Sequence, residues 1–311
     1  MTPEFWLDLA VVGSLLAVAT WSLLARQALV AVVAFASFGL ILALAWVRLG
    51  AVDVALTEAP VGVVTSLLLL GAAARLRGLA PPAEQPPGLL RILVGLLCGA
   101  IAVALAVAVV ALPDPPPSLA TQAQVGLEAT GLGNPVTAVL MAYRALDTLM
   151  EKVVLVVGLL AVWALAADRL WDGRPAPFAR SDPDGPLAFL ARVLPPIGVV
   201  IAVYVFWVSA EEPGGAFQGG TILAAMLLLA MMAGLIEPPA LGGRLLRLAL
   251  VGGALVFFAV GLGGLAFGQG FLTYPAAFAK PLILLIESAL IVSIALSIAL
   301  FVAGPAQRPR R

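Results

Sequence analysis

The chain has 311 residues, of which 62% are hydrophobic and 11% are charged. A soluble domain carries about 45–50% apolar and about 25% charged residues, so this composition excludes a water-soluble enzyme and indicates a polytopic membrane protein. Seventeen basic residues balance seventeen acidic ones, which argues against a nucleic-acid partner. With no histidine and one cysteine, Cys98, histidine relays, histidine metal sites and iron–sulfur ligation are excluded. We therefore expect no enzymatic site, no metal site and no cofactor.

Nine apolar runs approach the length of about 20 residues that crosses a hydrocarbon core of about 30 Å. Polar segments rich in proline or glycine, at 77–90 and 168–187, divide these runs into groups of three, two and four. The fold class predicted is thus an all-α, multi-pass membrane protein. The predicted helices lie at 5–24, 28–47, 53–74, 91–112, 148–167, 192–209, 219–236, 245–267 and 281–303.

The basic residues predict the orientation of the chain. If the nine helices alternate in direction, thirteen Lys and Arg residues fall on one side and four on the other. Loops rich in Lys and Arg stay in the cytoplasm, which places the N-terminus outside and the C-terminus in the cytoplasm. The four basic residues on the outer side are Arg48, Arg144, Lys152 and Lys280.

The third predicted helix carries acids where an apolar residue is expected. Glu58 lies about 8 Å along the helix from Asp53, at about 1.5 Å per residue, and therefore inside the edge of the hydrocarbon. Pro60 cannot donate a hydrogen bond to the carbonyl of Leu56. A carboxylate beside a freed carbonyl is a candidate proton or cation site. The alternative, for Glu58 and for Asp53, is an acid in the polar interface.

Charges also cluster before the fifth helix. Asn134 and Pro135 are typical of a helix start. If the chain is helical from there, Arg144, Asp147 and Glu151 share one face. Too few apolar residues follow Lys152 to cross the membrane, so Glu151 and Lys152 are expected to sink into it. The alternative is a solvated helix with ordinary surface ion pairs.

Two further features lie at the starts of later helices. Residues 211–221 contain one proline and four glycines, which favours an unwound or re-entrant segment over a flexible outer loop. In the last helix, Lys280 and Glu287 share a face, and Glu287 lies about a third of the way across. Its role is either in ion movement or in a structural pair. The motif residues singled out are Pro213, Gly214, Gly215, Phe217, Gln218, Gly219 and Gly220.

All four charged features open helices that are predicted to run from the outside to the inside. Their charges therefore fall in one layer, the outer third of the membrane. A charge at this depth costs at least about 2.5–3.5 kcal/mol, so each needs a partner or a function. We interpret the layer as a polar path open to the outer water phase.

Three stretches resemble a known family in their order along the chain. Residues 212–220, Glu-Pro-Gly-Gly-Ala-Phe-Gln-Gly-Gly, resemble the Pro-Gly-Gly-Gly-Phe-x-Gly-Gly signature of the MnhB/MrpB family, the B-type subunits of Mrp-type cation/proton antiporters. Residues 53–62 resemble the MbhD-like unit, and residues 134–151 resemble the MbhE-like unit that follows it in the A-type subunits. The units implied are MbhD-like at 1–80, MbhE-like at 81–175 and MnhB-like at 176–311.

The resemblance implies one component of an Mrp-type Na⁺/H⁺ antiporter in a prokaryotic cell membrane, or of a related redox-driven complex such as a membrane-bound hydrogenase. A purely structural scaffold is the third alternative. Partners implied are the antiporter-like subunits of A and D type and the small subunits of C, E, F and G type, within membrane lipid. The ion or proton path expected comprises Glu58, Asp147, Glu151, Lys152, Lys280 and Glu287. The chain departs from the family pattern at Ala142, Lys152, Glu211 and Glu212, so the transported cation stays open.

Overall fold

The computed structural model describes residues 2–76, 87–176, 178, 182–267 and 270–307. Parts of both predicted linkers, at 77–90 and 168–187, lie outside the described residues. So do Arg308, Arg310 and Arg311, which contribute to the predicted charge asymmetry.

The described chain is almost entirely helical, as the composition predicts. Three short helices and a π-helical turn, Val139–Tyr143, lie between the fourth and fifth long helices. The α-helices are α1 (Pro3–Leu24), α2 (Ala28–Arg48), α3 (Val52–Leu76), α4 (Gly88–Val110), α5 (Ala120–Val125), α6 (Leu127–Thr130), α7 (Pro135–Ala138), α8 (Ala145–Trp163), α9 (Pro186–Trp207), α10 (Ala216–Met232), α11 (Arg244–Ala266) and α12 (Ala279–Ala303).

Seven helices in the described residues are long and apolar enough to cross a membrane. The other two long helices are α10, which has 17 residues, and α8, which carries Asp147, Glu151 and Lys152 in its first half. A long helix thus stands at each of the nine predicted positions. The number of membrane crossings and the orientation stay predictions.

Helices α1, α2 and α3 pack in sequence, each against the next. Gly39 and Gly62 lie at the crossing of α2 and α3, where a Cβ atom built on Gly39 would come within 3.2 Å of the Cα of Gly62. Between membrane helices the close approach of backbones supplies much of the attraction, because lipid offers no hydrophobic gain. These two glycines therefore set the distance between α2 and α3.

Helix α12 is the centre of the second group of helices. It packs against α8, α9, α10 and α11, and it also contacts α3. Its side chains Ile283, Ile286, Leu290 and Ile294 are almost fully buried in the main apolar core. Glu287, in the middle of this buried face, therefore lies among protein groups.

Polar contacts collect at two opposite ends of this bundle. At one end, the strands β1 (Arg174–Pro175) and β2 (Ala306–Gln307) pair antiparallel, and Arg247 pairs with Asp172 at 2.7 Å. At the other end, the first turns of α3 and α12 meet Asn134, which precedes α7, and the loop that precedes α10. We call the first the linker end and the second the junction end.

The shared face of Arg144, Asp147 and Glu151 was predicted on the condition that the chain is helical from Asn134 onward. That condition is not met, because the π-helical turn and a non-helical Arg144 (φ −127°, ψ 36°) separate α7 from α8. The predicted helix start is confirmed, since the side chain of Asn134 accepts a hydrogen bond from the Val136 N–H at 2.9 Å. Helix α9 begins at Pro186, earlier than the predicted residue 192.

Candidate functional site

Residues 208–215, here called the glycine segment, join α9 to α10 without helical structure. Ser209, Ala210, Gly214 and Gly215 are buried, so the segment is not an exposed outer loop. The carbonyl of Ala210 accepts hydrogen bonds from the N–H groups of Gly133 and Asn134, at 2.8 and 3.0 Å. The unwound segment predicted from its glycines is thus confirmed, with its backbone groups satisfied by protein partners.

Close packing explains why several of these positions are glycine. A Cβ atom on Gly214 would overlap the carbonyl oxygen of Val205, and one on Gly219 would lie 2.7 Å from that of Ala202. Both carbonyls belong to α9, so the glycines let the start of α10 approach the backbone of α9. They thereby fix the position of the side chains that follow.

Glu287 on α12 points into the junction end. It is 4% exposed, and its carboxylate accepts a hydrogen bond from the Ser209 hydroxyl at 2.7 Å and another from the Ala216 N–H at 3.3 Å. Ala216 is the first residue of α10, where unpaired N–H groups and the helix dipole favour a negative charge. Glu287 is therefore a buried acid that is held in place by two hydrogen-bond donors.

Lys152 on α8 is the second buried ionisable group, with 3% exposure. Its ammonium lies 3.7 Å from the carboxylate of Glu151 and 5.1 Å from the ring centre of Phe217. A cation over an aromatic face gains electrostatic stabilisation, most of all where water is scarce. Phe217 of the glycine motif thus stabilises the ammonium of Lys152.

A cavity of about 60 Å³ connects these groups. It has room for a few water molecules, because one water needs about 10–15 Å³ of such volume. Glu151 is 53% exposed and also borders the cavity, so a carboxylate lies between the cavity and the surface of the chain. The lining residues comprise Thr137, Leu140, Met141, Thr148, Glu151, Lys152, Gly214, Gly215, Ala216, Phe217, Gln218, Glu287 and Leu290.

Asp53 and Thr57 tie α3 to the same place. Asp53 accepts a hydrogen bond from the Gly214 N–H at 3.0 Å and a long one, 3.5 Å, from the side chain of Asn134. The hydroxyl of Thr57 accepts one from the side-chain amide of Gln218 at 3.1 Å. The glycine segment and the start of α10 are therefore bonded to α3, to the start of α7 and to α12.

Three residues predicted for the path lie outside the cavity. Glu58 is half-buried on α3. Asp147 is exposed and pairs with Arg144 at 2.5 Å. Lys280 forms its ion pair with Glu211 in the glycine segment, although the sequence spacing places it on the same face as Glu287.

Sequence reasoning missed Ser209 and Thr57 as partners in this site. Both are single hydroxyl residues in apolar surroundings, a pattern common in membrane helices without any function. Their position beside Glu287 and Gln218 depends on contacts between helices far apart in the chain. Only the Asn134 cap carried a local signal, and that signal concerned the helix start and not the contact with Asp53.

Two family models match the chain. Residues 186–306 match the domain related to the MnhB subunit of Na⁺/H⁺ antiporters, and residues 13–78 match the D subunit of MBH. Together the two matches take in more than half of the chain, including the second half of α1, all of α2, α3 and α9 to α12.

Two relatives match parts of the chain. The putative antiporter protein mnhA2 of Staphylococcus epidermidis is 32% identical over 141 residues, which are 45% of this chain and 18% of that protein. An uncharacterized protein of Methanocaldococcus jannaschii is 27% identical over 168 residues, which are 46% of this chain and 64% of that protein. The chain thus spans less than two thirds of either relative's length.

Solved structures also share the fold. A chain of the Mrp complex from Dietzia sp. superposes with a TM-score of 0.73 and 29% identity over 97% of this chain and 35% of that chain. A chain of a membrane-bound sulfane sulfur reductase, an archaeal respiratory complex, superposes with a TM-score of 0.56 and 24% identity over 69% of this chain and 97% of that chain. Because the sequence identity to the second structure is only 24%, that similarity concerns the fold alone.

The fold and the junction define a multi-pass helical membrane protein whose helices are bonded together through a buried polar site. Residues 186–306 are thus related to the MnhB subunit of Na⁺/H⁺ antiporters and residues 13–78 to the D subunit of MBH, and the chain shares the fold of part of a chain of an Mrp complex. It joins an MbhD-related unit and an MnhB-related unit in one polypeptide of a prokaryotic membrane.

Proposed function

We propose that the chain contributes a proton or ion path to a multisubunit Mrp-type cation/proton antiporter. The main observation that supports this proposal is the buried carboxylate of Glu287. It is held by Ser209 and the Ala216 N–H beside a cavity that Lys152 and Glu151 also line. Ionisable side chains inside membrane-spanning helices are costly and rare, and they usually mark ion or proton pathways. Titratable groups that share one small cavity supply what a proton needs to move between them.

The route inside this chain runs from Glu151 at the surface, through the cavity, to Glu287. Carboxylates, the ammonium of Lys152 and a few waters are its carriers, since the sequence contains no histidine. Glu58, Asp147 and Lys280 stand apart from the cavity. In this proposal they act where the chain meets other subunits or the outer water phase.

The partners proposed are the other subunits of such a complex: antiporter-like subunits of A and D type and small subunits of C, E, F and G type. The chain spans 35% of the Mrp-complex chain that it resembles. Exchange activity is therefore assigned to the complex, and this chain supplies one part of its path.

Substitution Glu287→Gln tests the proposal in the purified complex, reconstituted in proteoliposomes. Gln keeps an oxygen that accepts the Ser209 hydrogen bond but cannot carry a proton on a carboxylate. Na⁺-dependent proton efflux, followed with a pH-sensitive dye, is expected to fall at least tenfold while the complex stays intact on a native gel. The matched control is Glu237→Gln, an exposed acid paired with Arg174 at the linker end.

Three outcomes would count against the proposal or favour another function. A complex that falls apart in Glu287→Gln would favour a structural scaffold, a function supported by the hydrogen bonds that the glycine segment makes to α3, α7 and α12. Full exchange in an intact complex would exclude Glu287 from the path. A hydrogenase or dehydrogenase that co-purifies with the chain would favour the redox-driven pump.

A further inference from the structure

Lys152 is a positive charge with a fixed place inside the cavity. Its side chain is 4% exposed, and its ammonium is held between the Glu151 carboxylate and the Phe217 ring. No other basic residue lines the cavity among the described residues. Any cation that enters from the surface must therefore come close to this ammonium.

Without Lys152, the same cavity would present groups that suit an alkali cation. Oxygen atoms come from the carboxylates of Glu151 and Glu287, from the side chain of Gln218 and from the hydroxyl of Thr148. The Gln218 amide donates to Thr57, which leaves its oxygen free to face the other way, towards Gly215. In transporters, oxygen atoms beside an unwound helix segment coordinate Na⁺.

We propose that Lys152 acts as a tethered cation that keeps Na⁺ out of this cavity, so that the cavity carries protons and not metal ions. This inference rests on the proposed function and specifies the ion that uses the site. The ammonium supplies the positive charge that balances the carboxylates, and repulsion between like charges at short range opposes a second cation. A proton avoids that repulsion, because it joins a carboxylate or is relayed by the ammonium itself.

Infrared difference spectroscopy of the purified complex tests the inference. Spectra are recorded at constant pH while Na⁺ replaces N-methylglucamine, a cation too large for a cavity of about 60 Å³. In the wild type, we expect no Na⁺-dependent carboxylate band from Glu287, that is, no such band that disappears in Glu287→Gln. In Lys152→Met such a band is expected to appear, and the double variant Lys152→Met/Glu287→Gln is expected to lose it.

The matched control is Lys280→Met, which removes a lysine whose partner is Glu211 and which does not line the cavity. It is expected to show no new band that depends on Glu287. The inference would be overturned if the wild type shows a Na⁺-dependent band that disappears in Glu287→Gln. This measurement does not depend on the folding of any Lys152 variant. An intact Lys152→Met complex without the new band would overturn it as well.

The readout separates this inference from the proposed function. Exchange that survives in Glu287→Gln contradicts the proposed path, whatever the spectra show. A Na⁺ band in the wild type contradicts the exclusion of Na⁺, even if exchange depends fully on Glu287.

Discussion

Ser209 and Ser297 are both fully buried, but their hydroxyl groups differ in hydrogen bonding. Ser209 donates to the Glu287 carboxylate at 2.7 Å. The hydroxyl of Ser297 has no hydrogen-bond partner in the part of the chain that the structure describes. A hydrogen bond to a charged group is worth about 1.5–3 kcal/mol, whereas an unpaired buried polar group destabilises the fold. The same change, Ser to Ala, should therefore have different results at the two positions.

Ser209→Ala is expected to lower the free energy of unfolding by about 1.5–3 kcal/mol, because the carboxylate loses its strongest donor. Ser297→Ala is expected to leave it unchanged or raise it slightly. Both are measured as thermal midpoints of the complex in detergent, followed by tryptophan fluorescence. Equal midpoints for the two variants would show that the Ser209–Glu287 bond does not stabilise the site.

Glu151 and Lys152 illustrate what the spacing of residues could and could not predict. A count of apolar residues after Lys152 predicted that both sink into the membrane; Lys152 is buried, whereas the side chain of Glu151 is 53% exposed. The spacing could not indicate that Phe217 covers its ammonium, because the two residues lie on different helices. For the same reason Lys280 and Glu287, which share a face by spacing, have different partners.

Long apolar helices could be predicted because a hydrocarbon core of about 30 Å imposes their length. Their ends were less predictable, and α9 starts six residues before the predicted position, at Pro186. The break at Arg144 was not predicted at all, since a π-helical turn has the composition of an ordinary apolar helix. How the helices pack follows from small residues at crossings, which the pattern of apolar residues does not locate.

The crossing of α2 and α3 illustrates this dependence on single small residues. Gly62→Leu is expected to push α3 away from α2, because a Cβ atom there already lies 3.3 Å from the Cα of Gly39. Overpacking of this kind typically costs about 1–3 kcal/mol. Since α3 carries Asp53 and Thr57, the shift should also weaken their hydrogen bonds at the junction end.

Thermal melting and Na⁺-dependent proton efflux of the reconstituted complex measure this effect. The matched control is Gly71→Leu on the same helix, where a Cβ atom has no neighbour within 4 Å. Gly62→Leu is expected to lower both the midpoint and the efflux, and Gly71→Leu neither. A normal efflux rate in Gly62→Leu would argue that the position of α3 is unimportant for the path.

At the scale of the whole molecule, the polar loops are sorted between two ends. Residues 172–175, 237–247 and 306–307 meet at the linker end, and all of these belong to loops or helix ends predicted to face the cytoplasm. The glycine segment, Asn134, Asp53 and Lys280 meet at the junction end. Helix starts that the sequence predicts to share one layer thus meet through contacts between residues up to 161 positions apart. Their depth in the membrane stays a prediction.

The direction of the bundle in the membrane is predicted from the arginines and is open to a direct test. In a Cys98→Ser background, Ser118→Cys lies in the exposed loop after α4 and Asp168→Cys lies in the exposed turn after α8. The positive-inside rule predicts that residue 118 faces outside and residue 168 the cytoplasm. An impermeant maleimide added to intact cells should therefore label Ser118→Cys, and should label Asp168→Cys only after the membrane is opened. The opposite labelling pattern would show that the bundle has the inverse orientation. The junction end would then lie on the cytoplasmic side, and the cavity at Glu287 would open to the inner water phase.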